Sequence, residues 1–169
     1  MITDLSSPSG LSINDFIDDD QASVSFNNFV SAVAIIATLS RGALMAKLDI
    51  KSAFRICPVR KQDWHYLGFS FLEHYFVDLC LPFGLRSSVE RFTQLSNTLS
   101  WIMKNNYGIN NSTHYLDDFF LAAPPSSNQC SLHMQQTIDL FASLGVPLAP
   151  EKRVGPTTCL TFLGIEINS

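Results

Sequence analysis

Charge is scarce in this chain. Only 15% of its 169 residues are Asp, Glu, Lys or Arg, and the basic ones are the scarcer, 11 against 15 acids, for a net charge of −4. That balance argues against a free-standing electrostatic binder of nucleic acid, whose surface would need the opposite sign. Cysteine is sparse too. Cys57, Cys80, Cys130 and Cys159 form no Cys-x-x-Cys pair, and no secretory leader precedes them, so four reduced, packed thiols are expected rather than a disulfide framework. His65, His74, His114 and His133 show no His-x-x-x-His spacing, which removes the usual zinc signature. There is no Gly-x-Ser-x-Gly and no P-loop, so hydrolase and P-loop readings have no anchor. The longest apolar run, Phe29 to Leu39, is shorter than the roughly 20 residues of a membrane span and reads as a buried helix. Met1-Ile2-Thr3-Asp4 lacks a basic n-region, so an intracellular protein without a membrane partner is expected.

Apolar residues are plentiful. At 46% of the chain they can bury a core, and the length suits one domain. Among them stands His114-Tyr115-Leu116-Asp117-Asp118-Phe119-Phe120, two adjacent acids between aromatic-rich runs. Ser112 to Leu116 and Phe119 to Ala122 read as strands, with Asp117 and Asp118 at the bend between them. Like charges repel, so such a bend makes sense where a divalent cation neutralises it. Asp49 ends a second apolar run, Ala43 to Leu48, and delivers another acid from a strand tip. Three carboxylates on two strand tips could hold two Mg2+ ions about 3.5–4 Å apart, an arrangement that serves in-line attack on phosphate.

Four stretches in this order resemble the reverse transcriptases of retroelements, and more closely those of gypsy-like or DIRS-like retrotransposons than those of retroviruses. They are Leu48-Asp49-Ile50-Lys51-Ser52-Ala53-Phe54, Leu81-Pro82-Phe83-Gly84-Leu85-Arg86-Ser87-Ser88, Tyr115-Leu116-Asp117-Asp118 and Phe162-Leu163-Gly164. The resemblance implies an RNA-directed DNA polymerase, a nucleotidyltransferase that extends a primer 3′-hydroxyl by two-metal catalysis. Asp49, Asp117 and Asp118 would be its catalytic residues, and with the Ile50 carbonyl they would hold Mg2+, or Mn2+ in its place. Lys51, Ser52, Ala53, Phe54, Phe83, Gly84 and Lys152 would face the nucleotide. Of these, Phe54 would act as the bulky gate against a ribose 2′-hydroxyl, with a plain core residue as the competing reading. Lys152 would act as a cation near the triphosphate, with a surface lysine as its competitor. Leu163 and Gly164 would belong to a primer-gripping hairpin. The implied partners are an RNA or DNA template with its primer, deoxynucleoside triphosphates, and other segments of a polyprotein. Three positions depart from the family pattern: Phe83 where other members carry Gln, Val89 where proline is common, and the acid Glu90.

The expected fold is α+β, a polymerase palm with an antiparallel sheet and helices on one face. Residues 1–45 are expected to be partial fingers leading to the palm, and 46–169 the palm with its primer-grip-like hairpin, with thumb and RNase H absent. Helices are expected over 29–40, 87–104 and from Ser127 or Asn128 to Leu144. The last of these should pack through Leu132, Gln136, Leu140 and Leu144, with Ile138 and Phe141 beside them, and the first through Phe29, Val33 and Ile36, with Val30 and Ile35 beside them. A capped turn at Ser12, a solvated acidic loop at 18–20, a weak strand at 22–26, and hairpins at 64–81 and 159–167 complete the reading. Two rivals stand beside it. One is a non-catalytic, degenerate or truncated retroelement remnant, favoured by the acidic charge and scarce basic residues. The other is an RNA-dependent RNA polymerase palm, which shares the paired acids.

Overall fold

A computed structural model describes residues 4–26 and 29–169. In chain order the regular elements are α1 (Phe29–Ala37), β1 (Leu44–Asp49), β2 (Gly68–Phe71), β3 (His74–Val77), α2 (Arg86–Tyr107), β4 (Ser112–Tyr115), β5 (Asp118–Ala123), α3 (Gln129–Ser143), β6 (Val154–Thr157), β7 (Cys159–Phe162) and β8 (Ile165–Asn168), with short 3-10 turns between them. The fold class is α+β, as expected. The chain forms two compact units. The first takes residues up to Ser25 and Ser52–Leu95, the second Phe26–Lys51 and Ser96–Ser169, so they interleave where the sequence reading drew a single cut after residue 45.

In the first unit, Ser12 begins a capping box: its hydroxyl accepts from the Asp15 N–H, and Asp15 accepts from the Ser12 N–H. β2 and β3 pair antiparallel through Leu72 and Glu73, both at positive φ. That is the backbone of a two-residue hairpin, carried here by residues that favour it poorly. The hairpin is shorter than the sequence suggests, because Lys61–Leu67 coil into a 3-10 turn. Residues 23–26 form no strand; their weak alternation finds no partner to pair with.

The second unit is built on a four-stranded antiparallel sheet in the order β4-β5-β1-β6. Alternation along β5 sorts its side chains. Phe119 faces α3, meeting Phe141 edge-on at 5.0 Å. Phe120 and Ala122 face the other way and join Met45, Ala32 of α1, and Leu160, Phe162 and Ile167 of the β7–β8 hairpin in one buried cluster. Helices therefore cover both faces of this sheet, not one. Each fully buried aromatic ring in such a cluster contributes about 2–3 kcal/mol of burial.

Two helices turn only partly as expected. α3 buries Cys130, Met134, Thr137, Leu140 and Phe141, while Leu132 and Leu144 are exposed. Thr137 can be buried because its hydroxyl donates to the His133 carbonyl, leaving a methyl group to pack. α1 sets Phe29, Ile35 and Ile36 against the cluster as expected, but turns Ala32 fully inward and leaves Val33 and Val30 outward, because a small side chain lets the helix lie close on the sheet. Its expected caps, Asn27 and Asn28, lie outside the described residues. All four cysteines are free thiols, but only Cys130 is buried; Cys159 is exposed. β6 was not foreseen. It holds Gly155-Pro156 and lies at the sheet edge, where a proline without an N–H is tolerated.

Candidate active site

β1 and β5 run antiparallel with Leu48 opposite Phe119 and Asp49 opposite Asp118. The two acids are thus cross-strand partners on the face that also carries Met45 and Phe120. Asp117 sits one residue earlier, in the turn with Leu116, whose φ is +51°. The turn is tied to β1 directly, since the Ile50 N–H donates to the Asp117 carbonyl at 2.9 Å. β4, β5 and β1 pair side by side through largely buried residues, so three carboxylates stand at one end of one sheet.

Burial and mutual repulsion mark these acids. The Asp117 carboxyl is raised above the usual carboxylate value by burial first and then by the Asp49 charge, against its own backbone N–H and Lys152. Asp118 is raised by burial, with Asp117 and Asp49 adding to it and Lys47 and Lys152 opposing. Neither makes an ion pair among the described residues. Asp49, at 5% exposure, is clasped instead. The Lys152 ammonium donates to both of its oxygens, at 3.0 and 2.9 Å. The Asp49 hydrogen bond, above all, pushes the Lys152 ammonium up from its usual value.

Hard oxygen donors on adjacent rigid tips, charged and under-compensated, suit a hard divalent cation. Among the described residues, however, no three His, Cys, Asp or Glu side chains converge as a ready ligand set. The strand register places the acids together, and Lys152 is bonded to one of them. Lys152 is positioned by the backbone: Ala149 N–H donates to the Asp49 carbonyl and Lys51 N–H to the Pro147 carbonyl, which lays residues 147–149 beside the end of β1.

The other expected site residues fall as follows. Lys51 and Ser52 are exposed, and the Lys51 N–H donates to the Pro147 carbonyl. Ser52 and Ala53 have positive φ and lead into a 3-10 turn. Phe54 is 8% exposed and packs edge-on against Phe83 and Phe92 at 5.1 and 5.3 Å, the environment of a core residue. Phe83 is partly exposed, and Gly84 has φ +100°, a conformation that favours glycine. Glu90 accepts from Gln94 one helical turn on and lies 3.3 Å from Arg91. Leu163 and Gly164 form the positive-φ turn between β7 and β8, with Leu163 against the buried cluster.

Two residues escaped the sequence reading. Asn14, buried, donates to the Gly84 carbonyl and accepts from the Arg86 N–H, both at 2.8 Å, pinning the Pro82–Arg86 loop and capping α2 from outside the helix. No local pattern marks it, since its partners are some 70 residues away. His114, 5% exposed, stacks on Phe119 and leaves Nδ1 without a partner; burial, helped by the Lys104 charge, pushes it down to about 4.

With this geometry in place, the comparisons give the family. Residues 9–167 match the family described as reverse transcriptase (RNA-dependent DNA polymerase), and the chain belongs to it. It is similar to the transposon Tf2-3 polyprotein of Schizosaccharomyces pombe, 26% identical over 134 residues, covering 79% of this chain and 10% of that one. It is also similar to a genome polyprotein of Petunia vein clearing virus, 23% identical over 154 residues, covering 91% and 7%. The chain therefore spans about a tenth or less of these relatives. Among solved structures, a foamy viral protease-reverse transcriptase in complex with double-stranded DNA superposes with a TM-score of 0.73 at 21% identity, over 93% of this chain and 26% of that one. One in complex with an RNA/DNA hybrid gives 0.68 at 19% identity, over 85% and 18%. These likenesses establish the fold. No helix of the described residues is long and apolar enough to cross a membrane.

Proposed function

We propose that this chain carries the polymerising centre of a retroelement RNA-directed DNA polymerase, within a longer polyprotein, and that its second unit is the palm. The reading rests on one observation: the register sets Asp49 opposite Asp118 while the Asp117 turn is bonded to Ile50. On this reading Asp49, Asp117 and Asp118, with the Ile50 carbonyl, hold Mg2+ or Mn2+. Two such ions, when bound, supply Lewis-acid activation of the primer 3′-hydroxyl and charge neutralisation at the triphosphate. Lys152, once free of Asp49, gives a proton to the leaving pyrophosphate. Lys51 offers an exposed cation to phosphate, and Ser52, Ala53, Phe83 and Gly84 present backbone and ring to the nucleotide. The Phe54 ring, fixed by Phe83 and Phe92, resists a 2′-hydroxyl because it cannot move aside. The Leu163–Gly164 turn steadies the primer. Template and primer as partners are supported by the foamy viral complexes with double-stranded DNA and with an RNA/DNA hybrid.

Primer extension on an RNA template with Mg2+ tests this. Deoxynucleotide addition by the parent, reduced at least about 10²-fold in Asp117→Ala, is expected, because that is the scale of losing one charge-stabilising group. Phe54→Ala should admit ribonucleotides. Extension indifferent to Asp117→Ala contradicts the proposal. A parent that prefers ribonucleotides points to an RNA polymerase, and no extension by either protein on RNA or DNA templates points to a non-catalytic remnant.

A further inference from the structure

Both oxygens of Asp49 are occupied by one ammonium group, at 3.0 and 2.9 Å, and its side chain is only 7% exposed. A second cation approaching these oxygens meets the ammonium charge already held there. The Lys152 side chain, by contrast, is 55% exposed, so its head can move into water at little cost. Its backbone stays where it is, held by Lys152 N–H to the Ala149 carbonyl and by Ala149 N–H to the Asp49 carbonyl. Asp117 and Asp118 have no such clasp among the described residues. The three acids therefore divide into two open carboxylates and one that is held.

From this we infer that Lys152 is a competing counter-cation at the site. It holds Asp49 when no divalent ion is present and leaves before Asp49 can ligate one, so it sets the divalent concentration at which the site loads. The inference rests on the proposal above that Asp49 is a metal ligand. A cation is drawn first by Asp117 and Asp118, and Asp49 joins only as Lys152 swings away. Loading the site and freeing the lysine are then one event, and the ammonium becomes uncommitted only when the site is loaded.

The test is Mn2+ binding to the whole chain, read from the loss of the free-ion electron paramagnetic resonance signal, at fixed ionic strength and without nucleic acid or nucleotide. Lys152→Met keeps an unbranched chain as far as the ε position and removes the competing ammonium. It should bind Mn2+ roughly two- to fivefold more tightly than the parent, the range for releasing a half-exposed ion pair. Lys152→Arg, whose planar fork suits a carboxylate better, should bind it more weakly. A parent that binds Mn2+ while Lys152→Met binds it equally or less tightly overturns the inference and leaves the metal site standing. Should Lys152→Met fail to fold by circular dichroism, Lys152→Arg decides alone, and Mn2+ binding as tight as the parent's or tighter overturns the inference. No Mn2+ binding by parent or Lys152→Met overturns both the inference and the metal reading beneath it.

Discussion

Asp117 and Asp118 lie in surroundings that disfavour their charge. Their carboxyls are raised, so the folded state holds its protons more tightly than the unfolded chain does. Their contribution to stability is present at low pH and is lost as pH rises through the carboxylate range. Without metal, Asp117→Asn or Asp118→Asn should therefore raise the melting temperature by a few degrees at pH 7 while removing activity; a lower melting temperature would contradict the charge account. His114 has the opposite sign. Its folded value lies near 4 against 6.5 for a free histidine, so stability is full above about pH 6.5 and falls as pH drops toward 4. The loss should approach about 3 kcal/mol at pH 4. Urea midpoints at pH 7 and pH 4.5 check this, because His114→Phe keeps a ring against Phe119 and should flatten that part of the slope. At this scale much was readable in advance. Paired acids after an aromatic run, and a third acid ending another, mark themselves by charge in the wrong company. The pairing of Lys152 with Asp49 was less readable, since 103 residues separate the partners. A surface lysine and a buried clasp share one letter in the sequence.

Strand β6 illustrates what decides an element. Gly155 has φ +105°, and a Cβ there would lie 2.4 Å from the Met45 carbonyl oxygen and 2.7 Å from the Ala46 Cα. Backbone cannot yield as a flexible side chain can, so Gly155→Ala should cost about 2–4 kcal/mol. It would pry the edge strand from β1, measurable as a lower urea midpoint with the β4–β5 hairpin intact. Gly-Pro in a sequence argues against a strand, and only the backbone it must approach reveals why it is there. α3 was read only in part, with Leu140 and Phe141 buried as expected. Leu132, Gln136, Leu140 and Leu144 hold helical spacing, but the sheet takes the neighbouring stripe of Cys130, Met134 and Thr137, whose mixed polarity hides it. The loop before α2 gives a further prediction. Asn14→Leu removes both side-chain bonds to the Gly84 carbonyl and the Arg86 N–H, leaving two part-buried backbone groups without those partners. Loss of roughly 2–4 kcal/mol is expected, with a raised KM for nucleotide if Phe83 and Gly84 face it as proposed.

At the scale of the whole molecule, the order of four short motifs was enough to indicate an α+β palm, because that order constrains topology more than any single motif does. The interleaving of the two compact units was not legible, since contacts between distant segments leave no local pattern. The central claim is that acids from two strand ends, 68 residues apart along the chain between Asp49 and Asp117, serve one divalent-cation site. Fe2+ in place of Mg2+, with ascorbate and peroxide, cuts backbone beside the bound ion and so maps the site directly. The account predicts two cuts, one near residue 49 and one near 117–118, both suppressed by excess Mg2+ and both lost in Asp117→Ala. Cutting at only one of these places, or cutting that Mg2+ does not suppress, would contradict it.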